Sequence, residues 1–387
     1  MTRMSGAQRP RILYYCQSLV GVGHLTCSLR IIEEVLAHSD VDLVYGGLDA
    51  AMPAAQPGLR TLRLPTLLHD EDSGEFFAPD AGPNADHADL EPVWAARTQA
   101  IGAFLGPRYQ AIVVEFYPFG RRRFKREIMG LFDAVRARSG RVPIFTSVRE
   151  VLVPRAPDKE RRMVDAVRKH IHTVFVRGDP EVIRLDETFS LAHEIEDRVC
   201  YTGYISPPPV SERPARKPQV LVSQGGGNVG QELLRAAIGA AALMPALSFV
   251  LAAGSRTSAD EVDAQRASVH SGNVQIVPFL HDFQRHLRES AVSISMGGDN
   301  TLLDVLTART PALAYPYQGN SEQGFRIRKF AQQGLLHELG PEDLAPERLR
   351  DKIELALRTP YPTRTVAVNG ARTTSDRIRA VLQDCAA

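Results

Sequence analysis

Cysteine is scarce in this sequence, with four in 387 residues. Cys16, Cys27, Cys200 and Cys385 lie far apart and show no C-x-x-C spacing, which excludes the common zinc frameworks and a disulfide scaffold. They read as reduced thiols, and the expected location is cytoplasmic. An excess of one charge is also lacking: 46 Lys and Arg face 45 Asp and Glu. A nucleic-acid binder normally carries a basic excess or stripe, so no nucleic-acid partner is expected. The opening MTRMSGAQRPR has no apolar stretch before Ile12 and does not read as a secretory signal. Long hydrophobic runs are missing, with one imitation at 236–254, AAIGAAALMPALSFVLAAG. That segment has the length of a membrane span, but it is rich in Ala and Gly and broken by Pro245. It predicts a buried helix ending at Pro245 and a strand over 247–251. No short-period repeat occurs.

What is present is the composition of an ordinary globular protein, 44% apolar and 24% charged, with length enough for two domains. Short, nearly all-apolar runs alternate with helical patterns. RILYYC precedes a helix over about 27–37, and DLVYGG, LRTLRL, QAIVVEF, PIFTSVR, HTVFVR and RVCYTGY follow with helices between them. Strands buried on both faces have this appearance, so an α/β fold with parallel sheets is expected. Tyr204 to Val220, YISPPPVSERPARKPQV, reads as a stiff linker. After it the rhythm restarts with QVLVSQ, LSFVLAA, VQIVPF, VSISM and PALAYP. Two doubly wound, Rossmann-like domains are expected, over 1–205 and 206–364, with the terminal helix in 365–387 returning to the first. Residues 70–89 form an acidic, loop-like stretch.

GGGNVG, from Gly225, fits the G-x-G-x-x-G fingerprint between a strand and a helix. A dinucleotide site also needs an acid near the end of the next strand. That strand ends LAAGS, and Asp260 and Glu261 lie beyond it in a helix start, so a hydride-transfer enzyme is disfavoured. Gly225, Gly226, Gly227 and Asn228 then suit another ligand's diphosphate, held by backbone N–H groups at a helix N-terminus, or simply a tight turn. The second glycine loop, GVGHLT at 21–26, has no third glycine and carries His24.

From the GGGNVG loop through MGGDNTLLD to NSEQ before a helix, the C-terminal half resembles the donor-binding domain of GT-B glycosyltransferases of family 28. GVGH adds a glycine loop closing on a histidine, as in that superfamily. TSVREVLVPR, FVRGDPEV and VCYTGYI resemble a little-characterised bacterial branch of predicted glycosyltransferases. The resemblance implies two domains facing a central cleft, with a UDP-sugar donor on the C-terminal one and an acceptor hydroxyl on the other. It implies transfer with inversion, the sugar being N-acetylglucosamine or a related hexose, and neither metal nor cofactor. Leu280 would read the uracil edge, with Phe279 shaping the pocket. Phe279 reads equally as core at a strand end. Gly297, Gly298, Asp299, Asn300 and Thr301 would meet phosphate, and Asp304 the ribose, unless Asp304 only complements the helix dipole. Glu322 and Gln323 would contact sugar hydroxyls, or else cap a helix after Ser321.

His24 is read in the loop after the first strand. It is a candidate base for the acceptor hydroxyl or a donor to the diphosphate, with Gly23 beside it on the acceptor side. Glu115 and Glu150, at strand ends, are the other candidate bases. Arg149 and the run Arg121–Arg123 would hold an acidic or phosphate-bearing acceptor or touch a membrane surface. A solvated basic face is the plain reading of that run. Asp70–Asp72 imitates the D-x-D of metal-using transferases but sits in loop sequence. A nucleotide-sugar 2-epimerase and an inactive binding module are the alternative functions.

Overall fold

A computed structural model describes residues 9–18, 23–47, 52–53, 55–69, 76–78, 90–207, 214–224, 230–254, 257–317, 319–363 and 365–385. The chain divides into two compact units. One comprises Met1–Pro180, Arg184–Ile205 and Asn369–Ala387, and the other Glu181–Ile183 and Ser206–Val368.

Unit one runs β1 (Arg11–Gln17), α1 (Gly23–Val35), β2 (Asp40–Gly46), β3 (Leu59–Arg63), the short β4 (Leu68–His69) and β5 (Phe76–Phe77), then α2 (Glu91–Phe104) and β6 (Ala111–Glu115). It continues with α3 (Lys125–Ser139), β7 (Ile144–Arg149), α4 (Pro157–His170), β8 (Thr173–Arg177) and β9 (Val199–Tyr201). Its main sheet is parallel, in the order β3-β2-β1-β6-β7-β8-β9. Alternate residues of β1 enter opposite cores, as the period-2 geometry of a strand requires. Leu13 and Tyr15 join Ile101, Ile128, Phe132 and Val164. Ile12, Tyr14 and Cys16 join Ile31, Ile32 and Ile378. This double covering is why the strand sequence is apolar throughout.

Unit two runs β10 (Lys217–Ser223), α5 (Gln231–Ala242), β11 (Ser248–Ala252), α6 (Ala259–Ala267), β12 (Val274–Val277), α7 (Phe283–Glu289) and β13 (Ser290–Met296). Then follow α8 (Asp299–Ala308), β14 (Ala312–Tyr315), α9 (Ser321–Gln332), β15 (His337–Glu338) and α10 (Pro346–Arg358). The parallel sheet has the order β12-β11-β10-β13-β14-β15. In each sheet the chain builds outward from one strand and then returns to its other side. That places a topological switch point between β1 and β6, and another between β10 and β13. Ligands of open α/β sheets bind beyond the strand C-termini at such points. The span-like stretch is α5 followed by β11. Among the described residues, no helix is long and apolar enough to cross a membrane.

The last helix, α11 (Gly370–Asp384), lies in unit one and packs on α1. His38 Nε2 and Ser375 Oγ are 2.9 Å apart across that contact, and Ile378 is fully buried with Ile31 and Ile32. Ile205 bridges Asn369 where the chain leaves unit one and where it comes back.

Three expectations need correction. Tyr204 and Ile205, read as linker, are buried, because the bridge to Asn369 and the packing of α11 cover them; β10 begins at Lys217, inside the same stretch. The first helix starts at Gly23, so His24 stands in its first turn and not in a loop. The apolar stripe Leu25, Ile31, Ile32 and Val35 extends the helical face that far back. Arg121–Arg123 do not open a regular helix: Arg121 is left-handed (φ 58°), and Arg122–Phe124 form a 3-10 turn before α3.

Gly370 tests the docking of α11. A Cβ there would lie 2.2 Å from the Gly203 carbonyl oxygen, a backbone atom. Gly370→Ala should lower unfolding stability by about 1–3 kcal/mol, the usual cost of overpacking, in urea titrations of the full chain. Unchanged stability would mean that this junction yields freely.

Candidate active site

The first switch point gathers the charged candidates of unit one. β6 ends on Glu115, which is fully buried. Its Oε1 lies 2.9 Å from His24 Nδ1 and 3.0 Å from Arg177 Nη2. Burial pushes the Glu115 carboxyl up, but the Arg177 charge and the hydrogen bond from His24 together hold it below the ordinary range. It is therefore a carboxylate, an acceptor only, and His24 must donate from Nδ1. Nε2 is left as a lone pair, with the Arg149 Nη2 group 3.5 Å away. The imidazole also meets the edge of Phe116, centroids 5.4 Å apart at 89°. Burial brings the His24 pKa down from 6.5 to about 4, Glu115 opposes this, and Arg149 and Arg121 add to it. The start of a helix acts in the same direction.

Arg149 and Arg177 end the adjacent strands β7 and β8 and pair in register. Glu150, one residue beyond β7, is buried, with its Cβ 2.5 Å from where a Gly178 side chain would begin. Of the sequence candidates in this unit, His24, Glu115, Arg149 and Arg121 thus converge, and Gly23 opens the helix that carries His24. Arg177 and Phe116 were missed. The signal for Arg177 was present, since HTVFVR and PIFTSVR both end on arginine.

At the second switch point, Gly225, Gly226, Gly227 and Asn228 lie outside the described residues, as do Asp70–Asp72. The fingerprint's third glycine is described. Gly230 (φ 104°) precedes α5, and a Cβ there would meet Met296, the last residue of β13, at 2.9 Å. Gly297 and Gly298 turn β13 into α8. At Gly297 a Cβ would fall 2.4 Å from the Ile327 Cδ1 methyl and 3.5 Å from Gln323, so the turn packs closely against α9 and a larger residue would make Ile327 shift. Asp299 opens α8 and pairs with the buried Arg326 of α9. The two helix starts that carry Gly298–Thr301 and Glu322–Gln323 are thereby tied together. Asn300 is exposed, and Thr301 and Asp304 are partly buried in α8. The cap of α9 is Asn320, whose Oδ1 accepts from the Gln323 N–H at 3.0 Å. The Gln323 side chain accepts from the Tyr317 N–H at 3.1 Å. Phe279 is not core. It lies beyond β12, 57% exposed, its ring against that of His281, with Leu280 partly buried beside it.

Residues 221–375 match the glycosyltransferase family 28 C-terminal domain. The matched residues make up most of unit two. An uncharacterized glycosyltransferase of Methanosarcina mazei is 27% identical over 148 residues, 38% of this chain and 38% of that protein. The UDP-N-acetylglucosamine--N-acetylmuramyl-(pentapeptide) pyrophosphoryl-undecaprenol N-acetylglucosamine transferase of Caldanaerobacter subterraneus is 30% identical over 90 residues, 23% of this chain and 25% of that one. These matches span less than half the length of either relative. The crystal structure of MurG from Acinetobacter baumannii superposes over 97% of this chain and 99% of its own, with a TM-score of 0.58 at 13% identity. The chain has the GT-B fold.

Within this GT-B chain, among the described residues, no group of three His, Cys, Asp or Glu side chains is arranged to hold a metal. The titratable pair His24–Glu115 is the chemically distinctive feature of unit one. A 15N NMR titration should show His24 protonating near pH 4, with its proton on Nδ1 above that. The folded value lies below the unfolded 6.5. As pH falls the unfolded chain takes the proton first, so the stability linked to His24 is complete above about pH 6.5 and lost toward about pH 4. In Glu115→Gln the carboxylate that raises the value is gone, and protonation should move lower still. A His24 titrating at its ordinary value would contradict this geometry.

Proposed function

We propose that this chain moves a sugar from a UDP-sugar to the hydroxyl of an acceptor, with inversion and without a metal cofactor. One observation carries the reading: an imidazole at the switch point of unit one, held by a buried carboxylate so that Nε2 is a lone pair. The family 28 match of the C-terminal unit supports a nucleotide-sugar donor, and the N-acetylglucosamine transferase relative supports UDP-N-acetylglucosamine or a related hexose.

The chemistry follows from the side chains. The acceptor O–H gives its proton to His24 Nε2 while its oxygen attacks the anomeric carbon. The bond from that carbon to the diphosphate oxygen breaks, and UDP leaves with the electron pair. A histidine with pKa near 4 is wholly in its base form at neutral pH, and the Glu115 carboxylate stabilises the imidazolium as it forms. Arg177 keeps Glu115 ionised through the cycle. The backbone N–H groups at the start of α8 favour the negative diphosphate. Asp304 would accept from the ribose hydroxyls, and Gln323 would meet the sugar.

The test is a screen of UDP-sugars and hydroxyl acceptors that measures released UDP and glycosylated product separately. UDP with free 2-epimer and no glycosylated product would favour an epimerase instead. His24→Ala should lower kcat by about 10²–10⁴ with UDP affinity near normal. His24→Asn, which donates but does not take up a proton at neutral pH, should be equally slow. If His24 instead holds the diphosphate, UDP binding would weaken with the rate. Asp304→Ala should weaken UDP binding by about 1–3 kcal/mol in calorimetry, and EDTA should leave transfer intact.

A further inference from the structure

Arg121 is one of the cations of unit one that the proposed chemistry leaves without a task. The loop that places it is strained. Phe116 and Arg121 both adopt positive φ, 69° and 58°, a conformation that non-glycine residues rarely take and that costs free energy. Gly120 is required at the bend, since a Cβ there would lie 2.5 Å from the Phe116 ring. The loop turns Arg121 inward, and its Nε donates to the Gln17 carbonyl at the end of β1, at 2.7 Å. The guanidinium carbon stands 5.8 Å from the Phe116 ring centroid, and the same ring meets His24. Arg122 and Arg123 point the other way and are exposed.

The buried arginines among the described residues have carboxylates. Arg97 bonds both oxygens of Glu127 and also Gln17 Oε1 and the Pro65 carbonyl. Arg177 meets Glu115 and Arg326 meets Asp299. Arg121 has no ion pair among the described residues, and the bond to Gln17 is its one hydrogen bond there. A guanidinium carries five N–H groups, so its two terminal nitrogens remain as an unfilled fork. Burial lowers the Arg121 pKa, the mark of a cation drawn out of water. Glu115 attracts Arg121 from a distance but is already engaged by Arg177 and His24, so no carboxylate of the described residues fills the Arg121 fork, and a planar fork matches a carboxylate or phosphate.

We propose that the Arg121 fork binds an anionic group of the acceptor, a carboxylate or a phosphate, and so restricts the acceptor to hydroxylated acids or phosphoesters. This rests on His24 being the acceptor-side base. The fork and the imidazole are separate groups that each meet the Phe116 ring, which suits an acceptor whose anionic group and reacting hydroxyl are distinct. Strain in the 116–121 loop is then the cost of holding the fork at the strand ends.

The experiment titrates the full chain, with UDP saturating, against inorganic phosphate (31P NMR) and against 13C-labelled acetate. Chloride keeps the ionic strength constant. At least one anion should bind saturably, and Arg121→Gln should weaken it by about tenfold or more, the loss expected for charge-assisted bonds. Arg121→Lys, which keeps the charge but not the fork, should fall between. Arg123→Gln, on the exposed side, should bind as the wild type does. The anion that binds more tightly identifies the group on the acceptor. Arg121→Gln keeps an N–H able to reach Gln17, and a wild-type thermal melt would show that it folds; if it does not, Arg121→Lys carries the comparison. Absence of saturable binding of either anion to the wild type overturns the proposal, as does wild-type binding by Arg121→Gln or Arg121→Lys. UDP affinity of the same samples separates the two readings. Lost UDP binding alone would sink the donor assignment and leave the anion site standing, while intact transfer without anion binding would sink the anion site alone.

Discussion

A carboxylate buried at the end of β6 governs the chemistry of unit one. Glu115 has no exposed surface, and an ion removed from water without partners would lose several kcal/mol. Its neighbours are therefore constrained. Arg177 must reach it from β8, and His24 must donate from Nδ1, which settles the tautomer and leaves the lone pair on Nε2. The backbone just after Glu115 is also committed. Phe116 takes a left-handed conformation there, and its ring meets both His24 and Arg121. One buried charge thus orients an imidazole, recruits a cation and adjoins the bent loop.

Unit two meets its own switch point by different means, using close backbone approach more than buried charge. Gly230 lets α5 start against Met296, and Gly297 lets the β13–α8 turn press on α9. Side chains at either position would push apart the elements that carry the family 28 motif. The Asp299–Arg326 pair supplies a tie between the starts of α8 and α9. It also places an arginine against a carboxylate that would otherwise repel a ligand phosphate at a helix N-terminus. Exposed Phe279 and Tyr317 stand on loops that follow strands of the same sheet, where a ligand's apolar faces can be covered.

Strand and helix identity was legible because strands covered on both faces must be apolar at every position. RILYYC, QAIVVEF and PIFTSVR needed no tertiary information to be read as β1, β6 and β7, and Glu115 and Arg149 were visible as polar residues closing apolar runs. The Gly-Gly turn before α8 was equally plain, while the helix before β11 ends at Ala242, short of the Pro245 stop that the sequence suggests. The start of α1 was not. GVG signals a loop, and only packing of Leu25 into the core carries the helix back to Gly23. Tyr204 and Ile205 looked like linker beside a proline run, yet the returning α11 buries them.

The sequence by itself determined most of the segments that are strands and helices, because periodicity is a local property. The tertiary structure decided which charges meet. His24 and Glu115 are 91 residues apart in the chain, and they touch because β1 and β6 are neighbours in the sheet. Arg177 reaches Glu115 from two strands away, and Arg121 turns inward only because Phe116 and Gly120 bend the loop. Ion pairing depends on strand order, register and backbone handedness, and these arise when separated segments pack against one another.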